Sequence, residues 1–276
     1  MPASFVLRSG IKLIHGETVP QKVNLGSQTV ARALNILELL SEKGEMGVRD
    51  IARQLSIAPS MAQRLINTLS EARFIEKSAE SSRWRIGYKA FQIGSTFISN
   101  VDLNAAAWPE LRSLADQNHV NSFLGVLRDR SVVYLAAVQS GAAITITNAP
   151  GSTTYLHSTA LGKALLAAKS DDEVAELLGP PPYKQLTKRT RRTYSALAKD
   201  LEECRRLGYA VCDEENIDNV FAVGSAIRNA RRETVGALSG AVPRHKLTAK
   251  AIADLCKLIK ESAERVSQRL GAPQER

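Results

Sequence analysis

No run of roughly 18 apolar residues occurs anywhere in this 276-residue chain, so the sequence offers no membrane-spanning helix. Cysteine is scarce. Cys204, Cys212 and Cys256 are odd in number and lack CxxC spacing, which indicates neither a disulfide framework nor a zinc ribbon. A reducing cytoplasm is the simplest compartment for such a chain. The first 26 residues do not resemble a secretory leader, because Arg8, Lys12 and His15 interrupt any apolar stretch there. Nor does any HExxH, GxSxG, P-loop or GxGxxG string occur, so no metal or cofactor is expected. Long charge blocks are absent too, which argues against global disorder.

The chain is long enough for two cores, and its net charge of +9 suits a polyanionic partner without proving one. The excess is denser at the front, where 13 Lys/Arg face 8 Asp/Glu in residues 1–100. That part also holds the most informative pattern. Val48, Ile51, Ala52 and Leu55 fall at i, i+3, i+4 and i+7; after a short break and Pro59, Ala62, Leu65, Ile66 and Leu69 repeat the spacing. Two short helices, each apolar on one side, must bury those sides together. Pro59 fits the first turn of the second helix, where its missing N–H has no acceptor to lose.

The outer face of that second helix carries Ser60, Gln63, Arg64 and Asn67, a set able to hydrogen-bond base edges in a major groove. The plain alternative is a helical hairpin with a solvated face. The flanks favour a helix-turn-helix. Val30, Leu34, Leu37 and Leu40 supply an upstream helix to close the core, and two strand-like runs starting at Phe74 and Trp84 enclose a polar turn, Ser78 to Ser82. Three helices and a hairpin make a winged helix-turn-helix, with Arg83 and Arg85 on the wing placed to meet phosphates.

Beyond the wing, Tyr88 to Asn100 reads as a linker helix, followed by another from Leu103 to Asn118. Strands are expected at Ser122–Leu127, Val132–Val138, Ala143–Thr147, Tyr209–Cys212, Phe221–Ile227 and Thr234–Val242. Helices are expected at Thr159–Ala168, Asp171–Leu178, Ser195–Leu207 and Thr248–Leu270, with Thr159 as an N-cap and Gly208 just past a C-terminus. Strands in blocks with helices outside imply an α+β domain around an antiparallel sheet. The expected divisions are an arm over 1–26, a winged helix-turn-helix over 27–87, a linker helix over 88–101 and a second domain over 102–272.

The ordered strings SQTVARALNILELL, DIARQL, PSMAQRLINTL, LHSTALGKALLA, RRLGYAVCDEEN and VGALSGAVP resemble the IclR family of bacterial transcriptional regulators, from about Ser27 to Leu270. The resemblance implies a winged helix-turn-helix, a linker helix and a GAF-like effector domain. It further implies a homodimer or dimer of dimers on an inverted-repeat, double-stranded DNA operator, answering to a small-molecule effector. By position, Met61 joins Ser60, Gln63, Arg64 and Asn67 on the recognition helix; the family often has Thr there, so an apolar contact replaces a hydroxyl. The effector pocket maps to Thr159, Ala160, Leu161, Cys212, Val220, Ala222, Leu238 and Ser239.

Relatives that sense small keto acids tend to carry an acid, a Cys and a second Ser where this chain has Cys212, Ala222 and Ala241. Asn219 and Ala226 stand where Gly and Pro are usual. A less polar pocket and a larger or aromatic ligand follow, with a carboxylate held at the start of the Thr159 helix. The alternative is that these are core residues of a small sheet.

Catalysis would have to use His119, His157, Cys212 or Asp213-Glu214-Glu215. The acidic trio reads instead as a solvated strand end, and the basic run Lys188 to Arg192 as a solvated loop. An enzyme with an accessory DNA-binding domain and an architectural or RNA-binding protein remain as alternatives at this point.

Overall fold

The computed structural model describes residues 27–99, 102–141 and 149–273, which fall into two compact units divided between Ser99 and Asp102. The expected arm over 1–26 and the expected strand Ala143–Thr147 lie outside the described residues.

The first unit packs α1 (Gln28–Lys43), α2 (Val48–Gln54) and α3 (Pro59–Glu71) against a hairpin of β1 (Ile75–Lys77) and β2 (Trp84–Ile86). Ser27 caps α1 through its side chain, and Pro59 opens α3. Between α2 and α3 the chain turns at Ser56, which takes a left-handed conformation (φ 52°). All four expected residues of α3, Ala62, Leu65, Ile66 and Leu69, are buried. Leu65, Ile66 and Leu69 meet Ile51 of α2 and Ile36 and Leu40 of α1 in one apolar cluster. Met46 bridges to Trp84 by paired backbone hydrogen bonds and so backs the wing with a third extended segment.

In α1 the expected stripe is turned. Val30 and Leu34 are 55% and 45% exposed, while Ile36 and Leu40 are buried with Ala33 and Leu37 beside them. This helix has apolar residues on two sides, and the one led by Ile36 and Leu40 faces α3. The unit ends with α4 (Tyr88–Ser99), on which Tyr88, Phe91 and Ile93 are exposed.

The second unit is built on a six-stranded antiparallel sheet in the order β5-β4-β3-β8-β7-β6. Its strands are β3 (Asn121–Arg128), β4 (Ser131–Val138), β5 (Thr153–Thr154), β6 (Ala210–Asp213), β7 (Val220–Arg228) and β8 (Thr234–Pro243). One face is covered by α6 (Ala160–Ala167) and α8 (Tyr194–Leu207), with α7 (Asp171–Leu178) beyond; α5 (Asp102–Asp116) and α9 (Ala249–Arg269) cover the other. Glycines set both distances. A Cβ at Gly224 would lie 2.5 Å from the Ala160 carbonyl oxygen, and one at Gly240 would lie 2.5 Å from Ile259 on the opposite side. Thr159 caps α6, Ser170 and Glu173 form a reciprocal capping box on α7, and Gly208 (φ 82°) ends α8.

Candidate nucleic-acid interface and ligand face

Because Ala62, Leu65, Ile66 and Leu69 take the inner side of α3, its 3.6-residue turn sends Ser60, Gln63, Arg64 and Asn67 outward, and all four are exposed. Gln63 Nε2 donates to Asn67 Oδ1 at 2.7 Å, one turn away, so the two amides hold one another in orientation. Arg64 is unengaged: among the described residues its guanidinium makes no hydrogen bond or ion pair, with Glu71 or with any other group. Met61 is placed differently. Its side chain is half-buried against the core, and Arg32 Nη1 lies 3.0 Å from its sulfur. Packing already engages much of that side chain.

Both wing arginines already hold carboxylates. Arg83 pairs with Asp50 at 2.8 Å, while Arg85 pairs with Glu76 at 2.8 Å and Glu45 at 3.7 Å. Each remains about half exposed, so a phosphate would compete with an exposed pair of the kind that contributes little. Glu45 is bonded to Ser81 and sits below the usual carboxylate range chiefly for that reason. The wing turn is therefore tied to the residue beside the Met46 bridge.

The expected pocket residues divide between the two faces of the sheet. Cys212 opposes Ala222, and Ala222 opposes Ala241, so the three positions singled out by the resemblance form one cross-strand row. The next row joins Phe123, Ser239 and Gly224, under α6. Tyr134 stacks edge-on against Phe123 at 5.8 Å between centroids, and burial pushes its phenol up to about 12. The Ser239 hydroxyl has no hydrogen-bond partner among the described residues, although the residue is only 4% exposed.

Leu238 is a correction. Side chains alternate along a strand, so with Ser239 facing α6 its neighbour must point to the α5 and α9 side. It is fully buried there, opposite Leu124, and outside the cluster beneath α6. Thr159, Ala160 and Leu161 surround the α6 N-terminus. The Thr159 hydroxyl is spent on local bonds, donating to the Tyr155 carbonyl at 2.7 Å and accepting from Gly162 N at 3.0 Å. Leu161, Val220 and Ala222 pack in the apolar cluster, and Asn219 takes the left-handed conformation (φ 65°) that Asn tolerates where Gly is usual.

The acidic trio is a second correction: it is not a solvated strand end. Asp213 binds Arg244 at 2.7 Å and Arg189 at 3.0 Å, and Glu214 binds Arg189 at 3.2 Å. Glu215 is buried and receives Lys163 Nζ at 2.6 Å. Lys163 is completely buried and also binds Asp200 at 2.6 Å, which in turn binds Arg191 at 3.0 Å. Burial raises the Glu215 carboxyl above its ordinary value. Burial acts the same way on Asp200, but Arg191 and Lys163 more than offset it and hold that carboxyl low. No spacing in the sequence reports this network, although the lone cation inside the apolar string LGKALLA is a visible signal of it.

Neither Cys212 nor His157 is held as a nucleophile. Cys212 donates its thiol to the Ser158 carbonyl at 2.9 Å, and burial pushes it up to about 12, so it is held as a thiol rather than a thiolate. His157 lies between the Tyr155 and Tyr183 rings, with Nε2 donating to the Lys184 carbonyl at 2.9 Å. Burial lowers its pKa below the ordinary 6.5, so the folded protein prefers the neutral ring. The unfolded chain then binds the proton more readily, and stability must fall as pH drops through that value. In unfolding titrations between about pH 8 and 5, His157→Gln is expected to flatten this slope. An unchanged slope would place its origin elsewhere.

No group of three or more potential metal ligands exists among the described residues. No helix among them is long and apolar enough to cross a membrane.

Comparison with known proteins matches residues 29–79 to the IclR helix-turn-helix domain and residues 95–268 to the bacterial transcriptional regulator IclR C-terminal domain. The chain belongs to the IclR family. It is 26% identical over 243 residues to the transcriptional regulator KdgR of Escherichia coli K12, covering 88% of this chain and 92% of that one. The Thermotoga maritima IclR structure is 27% identical, covering 88% of this chain and 98% of that one, with a TM-score of 0.75. An IclR homologue from Microbacterium hydrocarbonoxydans, solved with 4-hydroxybenzoate, covers the same shares at 19% identity and TM-score 0.77, a likeness of fold. This IclR-family chain is therefore a DNA-binding transcriptional regulator and not an enzyme.

Proposed function

We propose that this protein binds a palindromic operator as a dimer, reading bases with α3, and that a small organic molecule held under α6 changes its affinity. The observation that carries the reading is the outer face of α3, where Gln63 and Asn67 are bonded together beside an exposed, unengaged Arg64. Dimerisation is supported by large apolar side chains left open in the first unit, Val30, Leu34, Tyr88, Phe91 and Ile93. Pairing of dimers follows the family resemblance alone.

For the effector, Phe123, Tyr134, Cys212, Ala222 and Ala241 offer an apolar surface, with the Ser239 hydroxyl as its polar point. This composition suits an aromatic acid, and 4-hydroxybenzoate in the Microbacterium homologue makes it the first probe. A ligand can act on operator affinity only by binding the DNA-competent and DNA-incompetent arrangements differently. Helix α4, joining the two units, is the element we assign to carry that difference.

Operator binding by fluorescence anisotropy tests both halves. Arg64→Ala is expected to weaken specific binding by about 1–3 kcal/mol and to relax preference at one base pair. An equal loss on every sequence would move Arg64 to phosphate. Ser239→Ala should reduce the thermal shift given by 4-hydroxybenzoate and related aromatic acids while leaving operator affinity intact. If operator binding falls instead, the ligand assignment fails.

A further inference from the structure

We propose that the basic loop before α8 forms a second ligand site, selective for a small dianion such as a phosphate monoester or a dicarboxylate. The loop borders a cleft of about 470 Å³, lined by Lys188, Arg189, Arg191 and Arg192 together with Asp213 and Glu215. That volume lies in the range of small-molecule sites.

The charges around the cleft do not cancel. Every acid there already has a cation: Glu215 has Lys163, Asp200 has Arg191, Glu214 has Arg189, and Asp213 has Arg244. Lys188 and Arg192 are left over. Both are exposed, and neither meets a carboxylate among the described residues; Arg192 makes only a long bond from Nε to the Tyr183 carbonyl, 3.5 Å. Two uncompensated cations on one concave surface match a ligand carrying two negative charges.

Nor is this simply the solvated loop that its composition suggests. Thr187 Oγ1 donates to the Glu214 carbonyl at 2.6 Å and Thr190 Oγ1 to the Glu215 carbonyl at 2.7 Å. Thr190 Oγ1 also accepts from Thr187 N at 2.9 Å, and Tyr183 N donates to the Arg192 carbonyl at 2.8 Å. The backbone presenting Lys188 and Arg192 is thus fixed before any ligand arrives, which removes much of the ordering cost of binding. A concave cleft with Asp213 on its wall admits a compact dianion better than a duplex backbone.

The site is tested without DNA, so its failure is distinct from failure of the operator reading. Titration calorimetry of the full chain would use phenyl phosphate, inorganic phosphate and succinate, with chloride at matched ionic strength as the control. Saturable binding is expected for a dianion and not for chloride, and Lys188→Gln/Arg192→Gln should weaken it at least tenfold without lowering the melting temperature. Binding by the phosphates alone, or by succinate alone, identifies which source of the dianion the site takes. The proposal is overturned if chloride reproduces the signal or if the double variant binds unchanged. It is equally overturned if the variant loses operator affinity while dianion binding persists.

Discussion

Lys163→Ala is expected to destabilise the protein by about 3–5 kcal/mol, the largest effect of any single substitution considered. Lys163 Nζ is wholly buried, binds Asp200 and Glu215 at 2.6 Å each, and also donates to the Val211 carbonyl at 3.2 Å. Removing the ammonium leaves the buried Glu215 carboxylate with only the Arg191 guanidinium at 4.0 Å, and stranding one buried charge costs more than the pair contributed. The deficit should depend on pH. Glu215 already has its pKa raised by burial, and without Lys163 it rises further. A raised carboxyl favours the fold when protonated and opposes it as pH climbs past the unfolded value near 4.3, so the variant's deficit should shrink in acid.

Denaturant unfolding of the full chain at neutral and acidic pH reads both effects. The combined change Lys163→Met with Glu215→Leu should recover part of the loss, because an apolar replacement of a whole buried pair is often neutral. A single-variant loss below about 1 kcal/mol would mean that the network is effectively hydrated.

What could be read from the sequence follows from how local each signal is. Helix α3 was legible because its inner and outer residues differ sharply within one turn, and the same contrast put Gln63, Arg64 and Asn67 on the exposed side. Helix α1 is less legible, since Val30 and Leu34 continue an apolar spacing that the tertiary fold does not use. The wing arginines were seen without their partners, because Asp50 is 33 residues before Arg83. The Lys163 network joins residues 37 and 52 positions apart, and no periodicity reports such a pairing. Leu238 failed for a simpler reason: two consecutive strand residues cannot line one face. The loop from Lys188 to Arg192 showed its charge in the sequence, but which of those cations are already taken depends on acids brought from α8 and β6.

Gly162→Ala sets two known effects against each other, and their magnitudes decide the sign. Inside a helix, alanine is favoured over glycine by roughly 0.5–1 kcal/mol. At this position a Cβ would meet three main-chain atoms of Leu156, its carbonyl oxygen closest, with Cα at 2.5 Å and C at 2.6 Å. A flexible side chain could swing away; this neighbour is main chain, leading into the turn that Thr159 caps. Overpacking of this kind typically costs about 1–3 kcal/mol, and a rigid obstacle puts it at the upper end. A net loss of about 2 kcal/mol is therefore expected, with weaker response to any ligand seated at the start of α6. Gly94→Ala in α4 supplies the matched control, because its Cβ would find nothing within 4 Å. There the helix preference acts alone, and a gain of about 0.5–1 kcal/mol is expected. If both variants gain stability in the same unfolding assay, the close approach of α6 to Leu156 is not what holds Gly162 in place.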